Sequence, residues 1–404
     1  MTPPIATETY TEPTQYTTLK LRGTATEVPA AVLAARAAAA RAPEPSVTAT
    51  KPAPSQQPDY PYQRYLPAFP KEEHFDPLVP FTHSDPGFRA LAVSPNPEVP
   101  LPVLQGAESV TEITPELGSE VRGVDLTKLT SEERDQIALF TARRGVVVFR
   151  NQGNFINAGG EAWLEWGRHF GRLHVHPTSG HPEGIPHIHL VYRDGESTFN
   201  YERSDRTTSL VWHTDVSYEL QPPGLTTLFL LSSPDSGGDT LYASQVASLR
   251  HLSPTFVSFL RTLKAVHSGV EQANFSRSGK RGGVVRREPV EHVHPVVRRH
   301  PVTGEEALYV NSQFTTRIEG LKKEESDNLL NFLFDHVGKG GDFQARIKWA
   351  PNTVVLWDNR VCVHTPVVDF GPSGQRRHGC RITPQAERPI AAWEGLELSD
   401  KSLI

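Results

Sequence analysis

Apolar positions along this chain repeat with two periods, and the shorter one dominates. Phe343, Ala345, Ile347 and Trp349 alternate strictly with Gln344, Arg346 and Lys348, the two-residue period of a strand with one buried face. The runs 145–149 (GVVVF), 307–311 and 354–357 read as further strands. Helical spacing appears in four places. Thr130 and Glu133 form a capping box that opens a helix through Ile137, Phe140 and Arg144, and Gly145 ends it. Trp163, Trp166 and Phe170 follow at helical spacing and are read as core. Residues 249–263 read as helix, with Ser253 as N-cap and Pro254 at the first helical position of its second part, and 321–337 is amphipathic. Short strands with few helices, no fixed repeat and no strand-helix-strand alternation predict a mainly β fold, a sandwich or barrel with helical decoration.

The regular pattern starts near Thr111. Upstream, proline sets the boundary: 19 of the 35 prolines fall in the first 110 residues, so little of that region can bury a core. Residues 1–58, with the alanine-rich tract 30–42, are expected as a disordered tail carrying one transient helix around 30–40. Residues 59–107 hold Tyr60, Tyr62, Tyr65, Phe69, Phe75, Phe81 and Phe88 among prolines and read as an extended arm. The arm either wraps the catalytic domain or a second subunit, giving a homo-oligomer, or is an irregular linker; the sequence leaves these open. The folded domain is expected at 108–392 and a C-terminal tail at 393–404.

Bulk properties narrow the setting. No apolar run is long enough for a membrane span or a secretory segment. Cys362 and Cys380 are the only cysteines, which fits free thiols in a reduced compartment, so the expected location is cytoplasmic. A net charge of −5 argues against general nucleic-acid affinity.

The chemistry centres on VWHTDVSYELQPP. If this run is extended, His213 and Asp215 project to the same face. His364, in LWDNRVCVHTPVVDF, is the best candidate for a third ligand. Two histidines and a carboxylate, with the remaining positions open, make the facial triad of non-haem Fe(II) oxygenases. Arg377 and Arg381 follow His364 by 13 and 17 residues and share a strand face across Gly379, a receptor for a carboxylate, sulfonate or sulfate. Six histidines crowd 169–189; at most His174 and His176, which share a strand face, are expected to look inward together, most of these histidines being read as surface or hydrogen-bonded core residues. The stretch 268–291 is basic and glycine-rich without a period, and reads as a mobile loop, either a lid or plainly solvated.

The series WHTDVSYELQPP, SGGDTLYAS, HPVVRRHPVTGEEALYVN, FTTRI, LWDNRVCVHTPVVDF and RRHGCRITP resembles the TauD-type Fe(II)/2-oxoglutarate dioxygenases over about 111–389. Within them it is most similar to fungal sulfonate dioxygenases, which share GVVVFRNQ and RITPQAERP. The resemblance implies a double-stranded β-helix, the cupin-like jelly roll, with His213, Asp215 and His364 on iron. Thr240 and Arg377 match the positions holding the far carboxylate of 2-oxoglutarate. His176, Arg381 and the backbone N–H of Val216 match those binding a sulfonate. The implied reaction uses Fe(II), 2-oxoglutarate and O2 to hydroxylate the carbon bearing a sulfonate, giving succinate, CO2, sulfite and an aldehyde. Asp215 favours hydroxylation over halogenation, since halogenating relatives lack this carboxylate.

Two positions depart from taurine-specific members. Ser209 stands where they carry Asn, and Ser179 where they carry Tyr. Loss of these partners suits a wider range of alkanesulfonates. Tyr218 and Phe314 are read as apolar walls of the pocket or as ordinary core. The expected partner is therefore a small anion, with alkyl sulfate esters or a carboxylate as the alternative substrate, and a non-catalytic jelly-roll binding protein as the remaining reading.

Overall fold

The computed structural model describes residues 60–96, 99–194, 207–370 and 373–394. The expected tail 1–58, its helix around 30–40, and all but the first two residues of the 393–404 tail lie outside them.

A seven-stranded sheet runs in the order Ser109–Glu112, Ser119–Arg122, Val146–Phe149, Val354–Asp358, Leu225–Ser232, Arg377–Ile382, Ile188–Arg193. Only the Ser119–Arg122 and Val146–Phe149 pair is parallel. A second sheet orders Gln344–Ile347, Thr240–Ser244 and Cys362–Pro366. The two-residue period explains how they stack. Val146, Val148, Leu228, Leu230, Val355 and Trp357 meet Tyr242, Ala345, Ile347 and Cys362 in one apolar layer between the sheets.

The alternate residues of the large sheet point the other way. Val147, Phe149, Phe229, Leu231, Leu356 and Cys380 pack on Trp163, Trp166 and Phe170 and on Ile137. On the small sheet, Ala243 and Val363 face Leu330, Leu333 and Val337 of the helix Lys323–Lys339. The result is a sandwich of two sheets with helices on both outer faces.

Local signals hold where the cap chemistry is complete. The Thr130–Glu133 capping box forms, and the helix Ser131–Arg144 ends at Gly145 with φ of 71°. A side chain there would also strike Leu117 and Cys362 at 2.6 and 2.8 Å from its first carbon, so glycine is required twice over. The helix expected over 249–263 is two helices, Gln245–Arg250 and Pro254–Arg261. Ser253 sits at the N-cap position but makes no side-chain cap bond, whereas Ser244 caps the first helix through the Ala247 N–H.

The stretch 268–291 is not an irregular solvated loop. It holds the helix Val270–Arg277 and a 3₁₀ turn Lys280–Gly283, and Arg286 and Arg287 are buried. Arg286 donates to the backbone oxygens of His176 and Ser179, and Arg287 pairs with Glu219. Two of the basic residues that made the stretch look solvated, Arg286 and Arg287, are absorbed by internal partners, which a sequence window does not display, while Arg277 stays exposed beside Glu288.

Residues 60–91 lie against the same chain. Tyr60 Oη and His378 Nδ1 are 2.8 Å apart, and His378 Nε2 donates to the Tyr65 oxygen at 2.8 Å. Ala68 and His181 bridge through their backbones, and the Phe75 N–H donates to Arg286 O at 2.7 Å. Arg360 anchors the end of this stretch. It takes both oxygens of Asp358 at 2.8 and 2.6 Å and pairs with Asp85 and Glu387, all with little solvent exposure. Burial raises the Asp358 carboxyl, but Arg360 and His300 beside it outweigh that and hold it well below the usual carboxylate range. Removing the cation strands Asp358. Arg360→Met is expected to lower unfolding free energy by about 3–5 kcal/mol, measured by chemical denaturation, because it leaves a buried charge unpaired.

Candidate active site

Three donors converge at one end of the layer between the sheets. His213 Nε2 and His364 Nε2 lie 3.7 and 3.6 Å from Asp215 Oδ1, and the three donor atoms fall within 4.8 Å of one another. The geometry differs from a shared strand face. His213 is an isolated bridge residue, and Asp215 opens a turn. What places them is pairing with the distant strand: His213 N–H donates to His364 O at 3.0 Å and His364 N–H returns to His213 O at 2.8 Å.

The turn is then fixed by Asn359, which the sequence reading missed although it stands in the same WDN run. Its side-chain oxygen accepts from the Asp215 N–H at 3.1 Å and from Trp357 Nε1 at 3.1 Å, and its amide donates to Gly224 O and Thr226. The next residue, Val216, has φ of 38°, a strained value for a β-branched side chain.

The donor set fits a divalent iron. His213 Nδ1 donates to Val211 O at 2.9 Å, which leaves the Nε2 lone pair toward Asp215. Burial, together with His213 and Arg381 nearby, holds the His364 imidazole well below its ordinary value, so it is neutral and able to ligate. Asp215 Oδ2 is buried with no protein partner. Two imidazoles and one carboxylate leave the other positions of a six-coordinate ion open. His83, Asp85 and Glu387 also converge, but both carboxylates there are already paired, Asp85 with Arg360 and Glu387 with Arg360 and Arg298.

The two arginines diverge along one strand. Arg377 Nε donates to Gly238 O at 2.9 Å, and its Nη2 is 3.4 Å from Thr240 Oγ1, which also accepts from Trp349 Nε1 at 3.1 Å. Burial pulls the Arg377 guanidinium down to about 10, still cationic at neutral pH. Arg381 donates to Asp215 and to His189 Nδ1, and its Nε is buried without a partner. Gly379 between them lies tight against Leu228 and Leu230, where an added carbon would sit at 3.2 and 3.0 Å. The opposite face carries Cys380 into the outer core and His378 to the 60–65 segment.

The histidine-rich run is more buried than its loop-like composition suggests. His174, His176 and His181 are all buried, and His169 bonds Asp135. His176 packs against His189 at 4.4 Å between ring centroids with the rings tilted by 51°, while His174 is held by Glu219 at 2.9 Å. His189 was not singled out from sequence. Its signal is register: it is the strand partner of Arg381.

Tyr218 and Phe314 meet edge to face at 5.1 Å and form a small apolar cluster with Val216, and Phe314 is 6.3 Å from the His213 ring. Ser209 Oγ accepts from the Val368 N–H at 3.2 Å. Ser179 is buried, its carbonyl taken by Arg286.

Comparison with known proteins places the chain in a family. The family described as "Taurine catabolism dioxygenase TauD, TfdA family" matches residues 109–383. An alpha-ketoglutarate-dependent sulfonate dioxygenase of Saccharomyces cerevisiae is 46% identical over 331 residues, 81% of this chain and 79% of that protein. The alpha-ketoglutarate-dependent dioxygenase cnsP of Penicillium expansum is 41% identical over 82% of this chain and 88% of its own length. The crystal structure of a taurine dioxygenase from Burkholderia xenovorans superposes with a TM-score of 0.57 at 30% identity, over 71% of this chain and 93% of that one. The sandwich is the jelly roll of these enzymes, and the chain belongs to the TauD, TfdA family of taurine catabolism dioxygenases.

Proposed function

We propose that this enzyme is a sulfonate dioxygenase in which His213, Asp215 and His364 hold Fe(II), Thr240 and Arg377 hold the far carboxylate of 2-oxoglutarate, and Arg381 with His176 holds the sulfonate. The observation that carries the reading is the placement of Arg381, a buried guanidinium bonded to the candidate ligand Asp215. A cation there draws an anionic head group to the metal, so that the carbon bearing it is the one presented for oxidation. Bound iron supplies the coupling of 2-oxoglutarate decarboxylation to substrate hydroxylation by O2. Hydroxylation beside the sulfonate gives a product that expels sulfite and leaves an aldehyde.

The protein's own groups divide the labour. Arg377, deep in the layer and bonded to Gly238 O, fixes one end of the co-substrate. His189 steadies Arg381 from the neighbouring strand and packs at a tilt against His176. The N–H of Val216 is offered to the sulfonate by the strained turn after Asp215. Tyr218 and Phe314 provide an apolar wall for an alkyl chain.

Breadth follows from the two serines. Ser209 Oγ accepts from the Val368 backbone N–H and is shorter than an asparagine, and Ser179 lacks the bulk of a tyrosine. Longer alkanesulfonates are thus preferred to taurine. The free, buried thiols Cys362 and Cys380 support work in the reducing cytoplasm.

Sulfite release is the test of function, using Fe(II)-loaded protein with 2-oxoglutarate and oxygen. A longer alkanesulfonate is expected to give sulfite faster than taurine. Sulfate from an alkyl sulfate, with no sulfite from any sulfonate, would reassign the substrate to esters. His213→Ala is expected to abolish turnover and metal retention, read by metal analysis after desalting; full activity would sink the site. Arg381→Ala should raise the sulfonate KM by about 30-fold or more, since truncating one member of a buried charge pair costs about 2–5 kcal/mol. The 2-oxoglutarate KM should stay near the wild-type value. The reverse split would mean that the two arginines have exchanged roles.

A further inference from the structure

The strand Thr240–Ser244 lies in the middle of the small sheet, with Gln344–Ile347 on one side and Cys362–Pro366 on the other. Thr240 and Tyr242 share its inward face. Thr240 Oγ1 has two donors already, Arg377 and Trp349. Tyr242 is the register partner of His364, and its ring stacks on that imidazole at 5.7 Å with an interplanar angle of 26°. Trp357 packs edge-on against the same tyrosine at 5.7 Å and lies 4.8 Å from that imidazole, so the three rings form one cluster. The ring is therefore locked in place.

Its hydroxyl is the anomaly. The residue is fully buried, yet the oxygen has no hydrogen-bond partner in the protein. A buried hydroxyl without a partner loses its hydration for no return, and proteins keep few of them. The ring carrying this hydroxyl stacks on the candidate ligand His364, and its own strand face also holds Thr240, whose oxygen accepts from Arg377. It therefore lies between the candidate metal triad and the arginine that anchors the far carboxylate. A phenol there is protonated at neutral pH and able to donate. What it lacks is an acceptor, and an oxyanion running from Arg377 to the metal supplies one.

We propose that Tyr242 is a co-substrate-binding residue whose hydroxyl donates a hydrogen bond to bound 2-oxoglutarate between Arg377 and the metal triad. The assignment rests on the functional reading above, since it takes 2-oxoglutarate as the molecule that fills this space. The competing role is a bond to Asp215 Oδ2, the other buried oxygen without a protein partner nearby. That role would appear in metal affinity, not in co-substrate affinity.

Tyr242→Phe keeps the ring and its stacking and removes only the oxygen. In the metal-free state this variant should melt no lower than wild type, because it deletes an unsatisfied group. Anaerobic calorimetric titration of Mn(II)-loaded protein with 2-oxoglutarate should show a dissociation constant raised about tenfold, equivalent to about 1.4 kcal/mol. Mn(II) affinity, titrated separately, should match wild type within about twofold, an interval well inside the tenfold effect. An unchanged 2-oxoglutarate constant would overturn the assignment, and so would a loss of metal affinity of similar size. Failure of the wild-type protein to bind 2-oxoglutarate would overturn both this inference and the functional reading, whereas normal wild-type binding with an unaffected variant overturns the tyrosine's role alone.

Discussion

The site depends on a pair of backbone hydrogen bonds. His213 and His364 are 151 positions apart, yet each donates its N–H to the other's oxygen. This single bridge sets both imidazoles side by side, with ring centroids 4.3 Å apart. Without it the segment after His213 would have no fixed height against the strand Cys362–Pro366, and Asp215 would not reach either ring. Asn359 completes the constraint by holding the Asp215 N–H, and the strain at Val216 is the conformational cost of turning the chain away immediately afterwards.

Around that bridge the molecule gathers buried positive charge. Arg377, Arg381, Arg286 and Arg287 are all buried. Burying guanidinium groups is unfavourable unless each finds an acceptor, and the acceptors are spread along the chain: Gly238 O, Asp215, Ser179 O and Glu219. The proposed anionic ligands would enter a space whose electrostatics are already arranged for them, which lowers the reorganisation needed on binding. The segment 60–91 contributes to the same order indirectly. It bonds His181 and Arg286, the residues flanking and supporting the turn that carries His176 and Ser179.

Residues whose role is local were legible directly. The capping box at Thr130, the stop at Gly145 and the buried face of Ala345 and Ile347 appear as read, because caps and pleats are decided by near neighbours; the strand is only Gln344–Ile347, and Phe343 ends a 3₁₀ turn and packs in a different apolar cluster. The triad was legible for a different reason: His, Asp and His with two following arginines is a sparse chemical pattern. His189, Asn359 and Tyr242 carried no such mark. Each matters through its partner across a sheet or turn, and nothing in IHL, WDN or TLY states what that partner is.

By itself, then, the sequence determined the residue types able to hold iron and two anions, the sheet-rich character of the domain, and the ends of the helix Ser131–Arg144, whose cap chemistry is complete. Tertiary structure alone decided that His213 and Asp215 meet through a turn and not along a strand. It also decided that the basic stretch 268–291 is folded inward with Arg286 and Arg287 buried, and that one tyrosine hydroxyl remains unsatisfied beside the triad. The physical reason is that periodicity and capping are read over a few residues, whereas register and burial of charge depend on which distant strand supplies the other half of each hydrogen bond.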